Sequence, residues 1–278
     1  PSSLLLKNSL VSCLTVNDIA QTPGVAADLS HIEMKAHVKG YLRPRQVPNC
    51  LKGCDVVILP RDDLFNNATI VATLAATCAQ HGPEVMICIM ANAVNSTIPI
   101  TVEVFKKHGV DNPKKILAVT TQNVIRANAF VAELKGLDPA PVNFPIIGGY
   151  GGKRILPVIS QRTPKVDFPL DQPTALTGRI QDAGTEVVQA KAGAGSATLS
   201  MAYTGTRFVF SIVDMLNSKK GIIECSFVKS PETDCTYFST LFLLGKNLGI
   251  GHEKMIDEAI PELKASITKG EEFVKSMK

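Results

Sequence analysis

The sequence predicts an α/β fold whose first half is a parallel sheet with helical crossovers and whose second half has an α+β arrangement. In the first half, three short apolar strands at 55–59, 84–92 and 116–119 alternate with helical patterns. Continuous apolar runs are typical of parallel strands, which are covered by helices on both faces. After about Pro141 the alternation stops, and strands are followed by long helices. This segregation of strands and helices indicates an α+β domain.

The other elements of the first half follow from hydrophobic spacing. The predicted elements are the end of a helix at 3–9, a strand at 14–18, and helices at 24–30, 62–79 and 98–108. The strand at 14–18 ends in Asp18. In dinucleotide-binding folds an acid at such a strand end binds the ribose hydroxyls, although a helix or turn cap is the simpler role for it from this position alone.

The elements of the second half are longer. The predicted order is strands at 142–147 and 155–159, helices at 171–190 and 196–216, strands at 222–228 and 237–244, and an amphipathic helix at 253–277. A glycine-rich turn at 148–152 separates the first two strands. It is not a phosphate-binding P-loop, because it is one residue short and Arg154 stands where a magnesium-binding Ser or Thr is needed.

Residues 116–134 form a strand, a turn and a helix, and this unit carries the first candidate site. The strand 116–119 ends at two threonines, and a helical pattern that starts near Asn123 stops at Gly136. Ligands bind at the carboxyl ends of strands in open α/β sheets. Asn123 and Arg126 are three residues apart, so both side chains can face one crevice. The Arg126 guanidinium suits a carboxylate ligand, but a surface ion pair explains it equally well.

Composition excludes several classes of protein. The chain has 278 residues, of which 45% are hydrophobic and 19% charged, and its net charge is +4. This is typical of a globular protein, and no apolar run reaches the roughly 18 residues of a membrane span. We expect no nucleic-acid partner, because basic clusters interleaved with aromatic residues are missing. The N-terminal residues have the pattern of neither a secretory signal nor a transit peptide.

The seven cysteines are scattered, and their number is odd. Cys50 and Cys54 are close in sequence, but no second pair or nearby histidine completes a zinc site. We therefore expect reduced thiols, a reducing compartment and no bound metal.

Several segments together resemble one family. They are DLSHIE, CLKGCDVVI, ICIMANAVNSTIPI, EVFKKHGV, RANAFVAELKGLDPA, AGAGSATLSMAY, ECSFVKS and IPELKASI, and they are similar to the NAD-dependent malate dehydrogenases of the mitochondrial type. The resemblance implies a Rossmann-type dinucleotide-binding domain at 1–120 and an α+β catalytic domain at 121–278. It also implies NAD as cofactor, malate and oxaloacetate as substrates, a homodimer without nucleic-acid or membrane partners, and a location in the mitochondrial matrix.

The resemblance assigns roles to residues that match the family's motifs. By this match, cofactor contacts fall to Asp18, Asn67, Asn92 and Met201, and substrate contacts fall to Arg61, Arg126 and Asn92. Asn92 belongs to both groups because the family's asparagine contacts the nicotinamide and the substrate. Ala93 follows it where the family has proline.

The catalytic pair departs from the family's pattern. The family uses an aspartate in a DIVR-like motif and a histidine in a GGHAG-like motif, and this chain has Asn123 and Tyr150 in those places. Histidine, with a pKa of about 6.5, exchanges protons at neutral pH, whereas tyrosine, at about 10, holds its proton and asparagine does not titrate. Replacing only the carboxylate of such a pair costs ~10⁴ in rate in a hydrolase triad. We therefore expect little or no malate oxidation.

Three segments of the family are missing from this sequence. The first is the opening strand with its GAxGGIG loop, the centre of a Rossmann-type sheet, whose amides bind the cofactor pyrophosphate. The second is the substrate loop between Pro60 and Arg61. The third is part of the segments around 245–247 and 251–253, which are shorter here than in the family. Without the opening strand, two neighbouring strands lose a hydrogen-bonding partner. We expect impaired NAD binding.

Three functional hypotheses remain open at this point. The chain is a malate dehydrogenase relative with little activity, an active enzyme whose sequence is incomplete here, or a non-catalytic subunit that pairs with active homologues.

Overall fold

The computed structural model describes residues 5, 8–60, 67–110, 112–243, 246–247 and 254–277. The strands in this part are β1 (Cys13–Asp18), β2 (His37–Leu42), β3 (Val56–Leu59), β4 (Met86–Ile89), β5 (Ile116–Val119), β6 (Ile146–Gly148), β7 (Ile155–Pro157), β8 (Ile223–Lys229), β9 (Tyr237–Leu243) and β10 (Lys246–Asn247). The longer helices are α1 (Thr22–Ser30), α2 (Val47–Leu51), α3 (Asn67–His81), α4 (Val94–Lys107), α5 (Thr121–Lys135), α6 (Gln172–Ala190), α7 (Leu199–Leu216) and α8 (Lys254–Ser276).

The first half contains the predicted parallel strands. β3 pairs with β4, and β4 with β5, all in parallel, and α3 and α4 are the crossovers between them. Every residue of β5 is buried, and β4 is buried except at Met86. Their continuous apolar sequences are explained by this burial, because helices or other strands cover both faces.

The parallel strands do not form one sheet. β1 and β2 pair in parallel as a separate two-stranded sheet, and no strand of the described residues joins β1 to β3. The apolar run at 55–59 predicts a central, buried parallel strand, and this prediction is wrong. β3 lies at the edge of its sheet, and only Leu59 is buried. This is the place where the loss of a neighbouring strand was expected, and the backbone of β3 has a strand partner on one side only.

The second half extends the same sheet with antiparallel strands. The order is β3–β4–β5–β8–β9–β6–β7, with β10 paired to β9. β8 and β9 form a long hairpin, and β8 joins it to β5 through Ala118 and Val119. β6 begins only at Ile146, later than the predicted 142, because Asn143 makes an isolated bridge with Thr163 instead. Helices α6, α7 and α8 match the predicted long helices.

Three clusters of buried residues pack the helices against the sheet. One cluster joins β4, α4 and α8 through residues such as Ile89, Ile98 and Leu263, all of them fully buried. A second lies under α5 and α6, and a third packs α7 against β4 and β5. The junctions that follow β4, β5 and β6 are therefore held by helices on both faces of the sheet.

Candidate functional site

The candidate site lies at the carboxyl ends of β4 and β5, opposite the turn after β6. Asn92 follows β4, Asn123 is in the first turn of α5 directly after β5, and Tyr150 follows β6. The ends of neighbouring parallel strands meet at one edge of a sheet, where ligands bind in α/β folds. Met201, in the first turn of α7, contacts the Tyr150 hydroxyl.

Asn67 and Asn92, two of the residues expected to contact the cofactor, lie next to each other. The amide nitrogen of Asn67 donates a hydrogen bond to the backbone oxygen of Asn92. Asn67 is buried, and its Oδ1 has no hydrogen-bond partner among the described residues. A buried carbonyl oxygen without a partner is costly, so this atom is a suitable acceptor for an amide or hydroxyl of a ligand. The peptide bond between Asn92 and Ala93 is cis.

Asn123 is 1% exposed, and it is the most poorly satisfied polar side chain of the site. Neither its Nδ2 nor its Oδ1 has a hydrogen-bond partner among the described residues. A carboxamide can donate two hydrogen bonds and accept two, and leaving them unmade in a buried place costs about 1–3 kcal/mol for each group. Asn123 is therefore held in place by the helix around it and not by its own hydrogen bonds.

Tyr150 is half-buried and is fixed through its backbone. Its N–H donates to Asn95 Oδ1 at 2.9 Å, and its carbonyl accepts from Asn95 Nδ2 at 2.9 Å. Its hydroxyl donates to the Met201 sulfur at 4.0 Å, which is a weak bond because a thioether is a weak acceptor. The phenol thus lies beside the residue that the family match assigns to the cofactor.

Arg126 contributes a half-buried cation to the same site. Burial lowers the pKa of the Arg126 guanidinium, while the nearby Tyr150 and Glu186 favour its charged form. An arginine keeps its charge in proteins at neutral pH. The structure therefore brings Arg126 and Tyr150 together, and the site carries a positive charge suited to an anionic ligand.

Asp18 lies in the separate two-stranded sheet, and Arg61 lies outside the described residues. Asp18 is exposed at the end of β1, and its Oδ1 accepts the backbone N–H of Ile19 at 2.6 Å. This bond to the next residue caps no helix, since the N-cap of α1 is Gln21 and has no side-chain cap bond. Most of the shortened segments around 245–253 also lie outside the described residues.

Sequence reasoning missed Asn95 and Gln122. Asn95 lies in the first turn of α4 and is 1% exposed, and Gln122 lies in the first turn of α5 and is also 1% exposed. The only sequence signal for either is a polar amide at the start of a helix directly after a buried strand. That signal does not say which residue the amide binds, because the partners are 55 and 82 residues away in the chain.

Other kinds of site find no support in the described residues. They contain no group of three or more acidic, histidine or cysteine side chains that could hold a metal ion. All seven cysteines are free. None of the helices in the described part of the chain has the length and hydropathy of a membrane span.

Comparison with known proteins gives two family matches. Residues 2–118 match the NAD-binding domain of the lactate/malate dehydrogenases, and residues 120–274 match their α/β C-terminal domain. The proteins named "Malate dehydrogenase, mitochondrial" from Macaca fascicularis and Homo sapiens are each 72% identical over 300 residues, which cover 100% of this chain and 89% of the relative. Since 300 aligned positions exceed the 278 residues of this chain, each relative carries at least 22 residues inside the match that this chain lacks.

Solved structures give the same fold at lower identity. Lactate dehydrogenase from Cryptosporidium parvum, in complex with lactic acid and nicotinamide adenine dinucleotide, has a TM-score of 0.82 at 17% identity and covers 100% of this chain and 94% of its own. Malate dehydrogenase from Plasmodium falciparum, in complex with NADH, has a TM-score of 0.81 at 17% identity and covers 98% and 94%. These matches confirm the predicted fold class, a Rossmann-type sheet followed by an α+β part.

Proposed function

Since this chain belongs to the lactate/malate dehydrogenase family, we propose that it keeps a malate-binding pocket but oxidises malate slowly or not at all. The reaction of a malate dehydrogenase removes a hydride from the carbinol carbon and a proton from its hydroxyl. The observation that carries the proposal is the pair Asn123 and Tyr150, which stands where the family match expects the residues that take the proton.

The proton step fails for a chemical reason at each position. A base must be deprotonated at the operating pH and must lie within hydrogen-bond reach of the hydroxyl. An ordinary tyrosine phenol, with a pKa of about 10, holds its proton at neutral pH, whereas the imidazole of the family has a pKa near 6.5. Asn123 cannot supply the negative charge that stabilises a protonated base, and its buried carboxamide has no partner among the described residues. Neither side chain therefore accepts and returns a proton efficiently.

Substrate binding depends on groups that are still present. Arg126 is a half-buried cation next to Tyr150, and its planar fork suits a carboxylate of malate. Asn92 contributes an amide at the end of β4, and Arg61 is proposed to bind the second carboxylate. Binding without turnover is the result, because binding requires charge and hydrogen bonds, whereas turnover also requires a base.

The residues proposed for NAD fit a dinucleotide in part. NAD, when bound, supplies the acceptor for the hydride. Asp18 has an exposed carboxylate at the end of a parallel strand, and Asn67 has a buried oxygen without a partner in the described chain. Met201 and Asn92 are proposed to line the nicotinamide side. We propose that binding is weak, because β1 and β3 are not joined in the described chain and the family match expects the pyrophosphate loop between them.

Measuring malate-dependent NAD reduction tests the proposal. We expect the purified chain to be at least about a thousandfold slower than an intact relative under the same conditions, because both members of the proton-transfer pair are replaced. The double substitution Asn123→Asp with Tyr150→His is expected to raise turnover by at least about tenfold. A rate of about 10 s⁻¹ in the unchanged chain, typical of good enzymes, would contradict the proposal. So would a double variant without any gain.

Thermal unfolding with and without NAD tests the cofactor part. A ligand that binds only the folded state raises the midpoint according to its concentration and affinity. We expect little or no rise at a millimolar concentration of NAD. A chain extended at its N-terminus by the first strand and glycine loop of a relative is expected to give a clear rise. An equal rise in both chains would contradict the proposed weak binding.

The alternative enzyme hypothesis is an active malate dehydrogenase of which this sequence is incomplete. Under this hypothesis, the complete protein carries out the family reaction and is located in the mitochondrial matrix. The mass of the natural product discriminates, since the strand, the loop and the internal segments add mass that is easily measured.

A surface observation favours a second candidate function, pairing with another subunit. Val25 and Ile32, in and next to α1, and Leu134, on α5, are 42%, 37% and 44% exposed. We propose that these apolar side chains form a dimer contact with a second copy or with an active homologue. Co-expression with a relative and sizing of the product test this. A product that stays monomeric with and without the relative would rule it out.

A further inference from the structure

The further inference concerns Gln122, a fully buried polar residue with no catalytic assignment. Gln122 lies in the first turn of α5, one turn before Arg126, and faces α7. Thr204 on α7 is also fully buried, and the Ser200 hydroxyl lies one turn earlier on the same helix. Two buried polar side chains that meet across a helix contact indicate a specific requirement, because apolar residues fill such a contact at lower cost.

The neighbours of the Gln122 amide determine which way it faces. One end of the amide lies 2.7 Å from the Thr204 oxygen and 3.2 Å from the Ser200 carbonyl, which can only accept a hydrogen bond. The other end lies 3.3 Å from Arg126 Nε, which can only donate. The end beside Thr204 is therefore the amide nitrogen, and the Thr204 hydroxyl donates its own proton to the Ser200 carbonyl at 2.7 Å. In this orientation the nitrogen also donates to the Ser200 carbonyl at 3.2 Å.

The other end of the amide then contacts Arg126. The Gln122 oxygen accepts a hydrogen bond from Arg126 Nε at 3.3 Å and one from the Ser200 hydroxyl at 3.2 Å. Every polar atom of the Gln122 side chain thus has a partner. The described residues supply no other hydrogen bond to this guanidinium, so its two terminal nitrogens are left for a ligand.

We propose that Gln122, held by Thr204, is a positioning residue that fixes Arg126 for an end-on contact with a carboxylate of the substrate. The proposal rests on the proposed function, in which Arg126 binds that carboxylate. Fixing the guanidinium through Nε leaves its two terminal nitrogens for the two oxygens of one carboxylate.

The neutral amide is well suited to this role. A carboxylate at position 122 would also accept from Arg126, but it would cancel the positive charge and compete with the substrate. Glutamine orients the guanidinium and keeps the charge. A leucine would fill the space without orienting it. These two substitutions therefore separate orientation from charge.

The first test is made on the free protein. The exchange rate of the Arg126 Nε–H with solvent is measured by ¹H–¹⁵N NMR, and Arg126→Lys identifies the signal by removing it. We expect Gln122→Leu to speed exchange at least about tenfold, because one charge-assisted hydrogen bond is lost. Gln122→Glu is expected to keep the protection, and Thr204→Val to give an intermediate rate. Unchanged exchange in Gln122→Leu would overturn the proposal.

The second test measures binding of L-malate by calorimetry in the same proteins. We expect Gln122→Leu to weaken binding about tenfold, and Gln122→Glu to weaken it at least as much although Nε–H stays protected. Gln189→Leu, at an exposed position on α6, is the control and is expected to change neither measurement. Wild-type affinity in both Gln122 variants would overturn the proposal.

The outcomes separate this inference from the proposed function. Arg126→Leu is expected to abolish malate binding, and an unchanged affinity in that variant would remove the proposed substrate contact itself. A wild-type chain that binds no malate would likewise remove the proposed function and with it the role in substrate binding. The exchange measurement would then still decide whether Gln122 holds Arg126.

Discussion

The side chain of Asn95 makes two hydrogen bonds to the backbone of Tyr150, each 2.9 Å long. One accepts from the Tyr150 N–H, and the other donates to its carbonyl. Asn95 lies at the start of α4, whereas Tyr150 follows β6, so this contact joins the two halves of the chain at the candidate site. A side chain that binds both backbone groups of one residue replaces the pairing that a neighbouring strand would give.

Asn95→Ala is expected to lower the free energy of unfolding by about 2–4 kcal/mol. The substitution leaves the N–H and the carbonyl of Tyr150 without their partner, and an unsatisfied buried group costs about 1–3 kcal/mol. Urea denaturation measures the change. Asn217→Ala, at the exposed end of α7, is the control and is expected to cost less than about 0.5–1 kcal/mol. Equal losses in both variants would show that the contact is not important.

The buried carboxyl of Glu224 is expected to make stability depend on pH. Burial raises the pKa of Glu224 above its ordinary 4.5, and hydrogen bonds from Ser211 and Thr121 and the charge of Arg207 oppose this only in part. Because the folded pKa is above the unfolded one, the stabilising contribution is fully present below pH 4.5 and is lost as the pH rises through the folded pKa.

Glu224→Gln is expected to remove this loss, since a neutral amide still accepts from Ser211, whose hydroxyl lies 2.6 Å from the carboxyl. The variant should become more stable relative to the wild type as the pH rises above 4.5. Unfolding by urea at several pH values measures the difference. The exposed Glu272→Gln is the control, and a flat difference for Glu224→Gln would contradict the expectation.

Much of the fold is predictable from local patterns. The apolar runs of β4 and β5 and the spacing in α5 identify elements whose burial depends on their own sequence. β2 and α2 were not predicted, because HVKGYL has polar residues and a glycine inside the strand and α2 has only five residues. The edge position of β3 was not predictable from its sequence either, since an apolar run does not say which strands lie beside it.

The candidate site was predictable from local spacing and from motif matching. Asn123 and Arg126 were found by their spacing after a buried strand and Tyr150 by its place in a family motif, and the structure brings Arg126 and Tyr150 together. Asn95 and Gln122 were missed because their roles depend on partners far away in the chain. The amide orientation of Gln122 follows from the Ser200 carbonyl at one end and Arg126 Nε at the other, which no sequence pattern encodes.

In the glycine turn around Tyr150, Gly148 has no room for a side chain. Gly148 has φ +94°, and a Cβ there would lie 2.3 Å from the backbone oxygen of Arg154. Gly152 has φ +58° with open space around it. We expect Gly152→Ala to cost about 1 kcal/mol, from the backbone conformation alone. Gly148→Ala is expected to cost at least about 2 kcal/mol more in thermal or urea unfolding, since a backbone atom must move. Equal costs would contradict the steric argument.

Asn123→Asp tests whether the pocket still suits the family's carboxylate. Asn123 is 1% exposed and lacks a hydrogen-bond partner in the described chain, so an aspartate there would be buried without a bonded donor. Burial raises the pKa of such a carboxyl, and its stabilising contribution would be lost as the pH rises above its ordinary value of about 3.9. We therefore expect the single variant to be about 1–3 kcal/mol less stable than the wild type at pH 7 and nearly equal to it at pH 4.

Adding Tyr150→His is expected to recover about half of that loss or more at pH 7, because an imidazole can donate to the carboxylate. Thermal unfolding of the wild type, both single variants and the double variant gives the coupling between the two positions. Asn49→Asp, at an exposed place on α2, is the control for the added charge. Additive effects of the two substitutions would mean that positions 123 and 150 do not contact each other, and the proposed loss of a catalytic pair would then lack its structural basis.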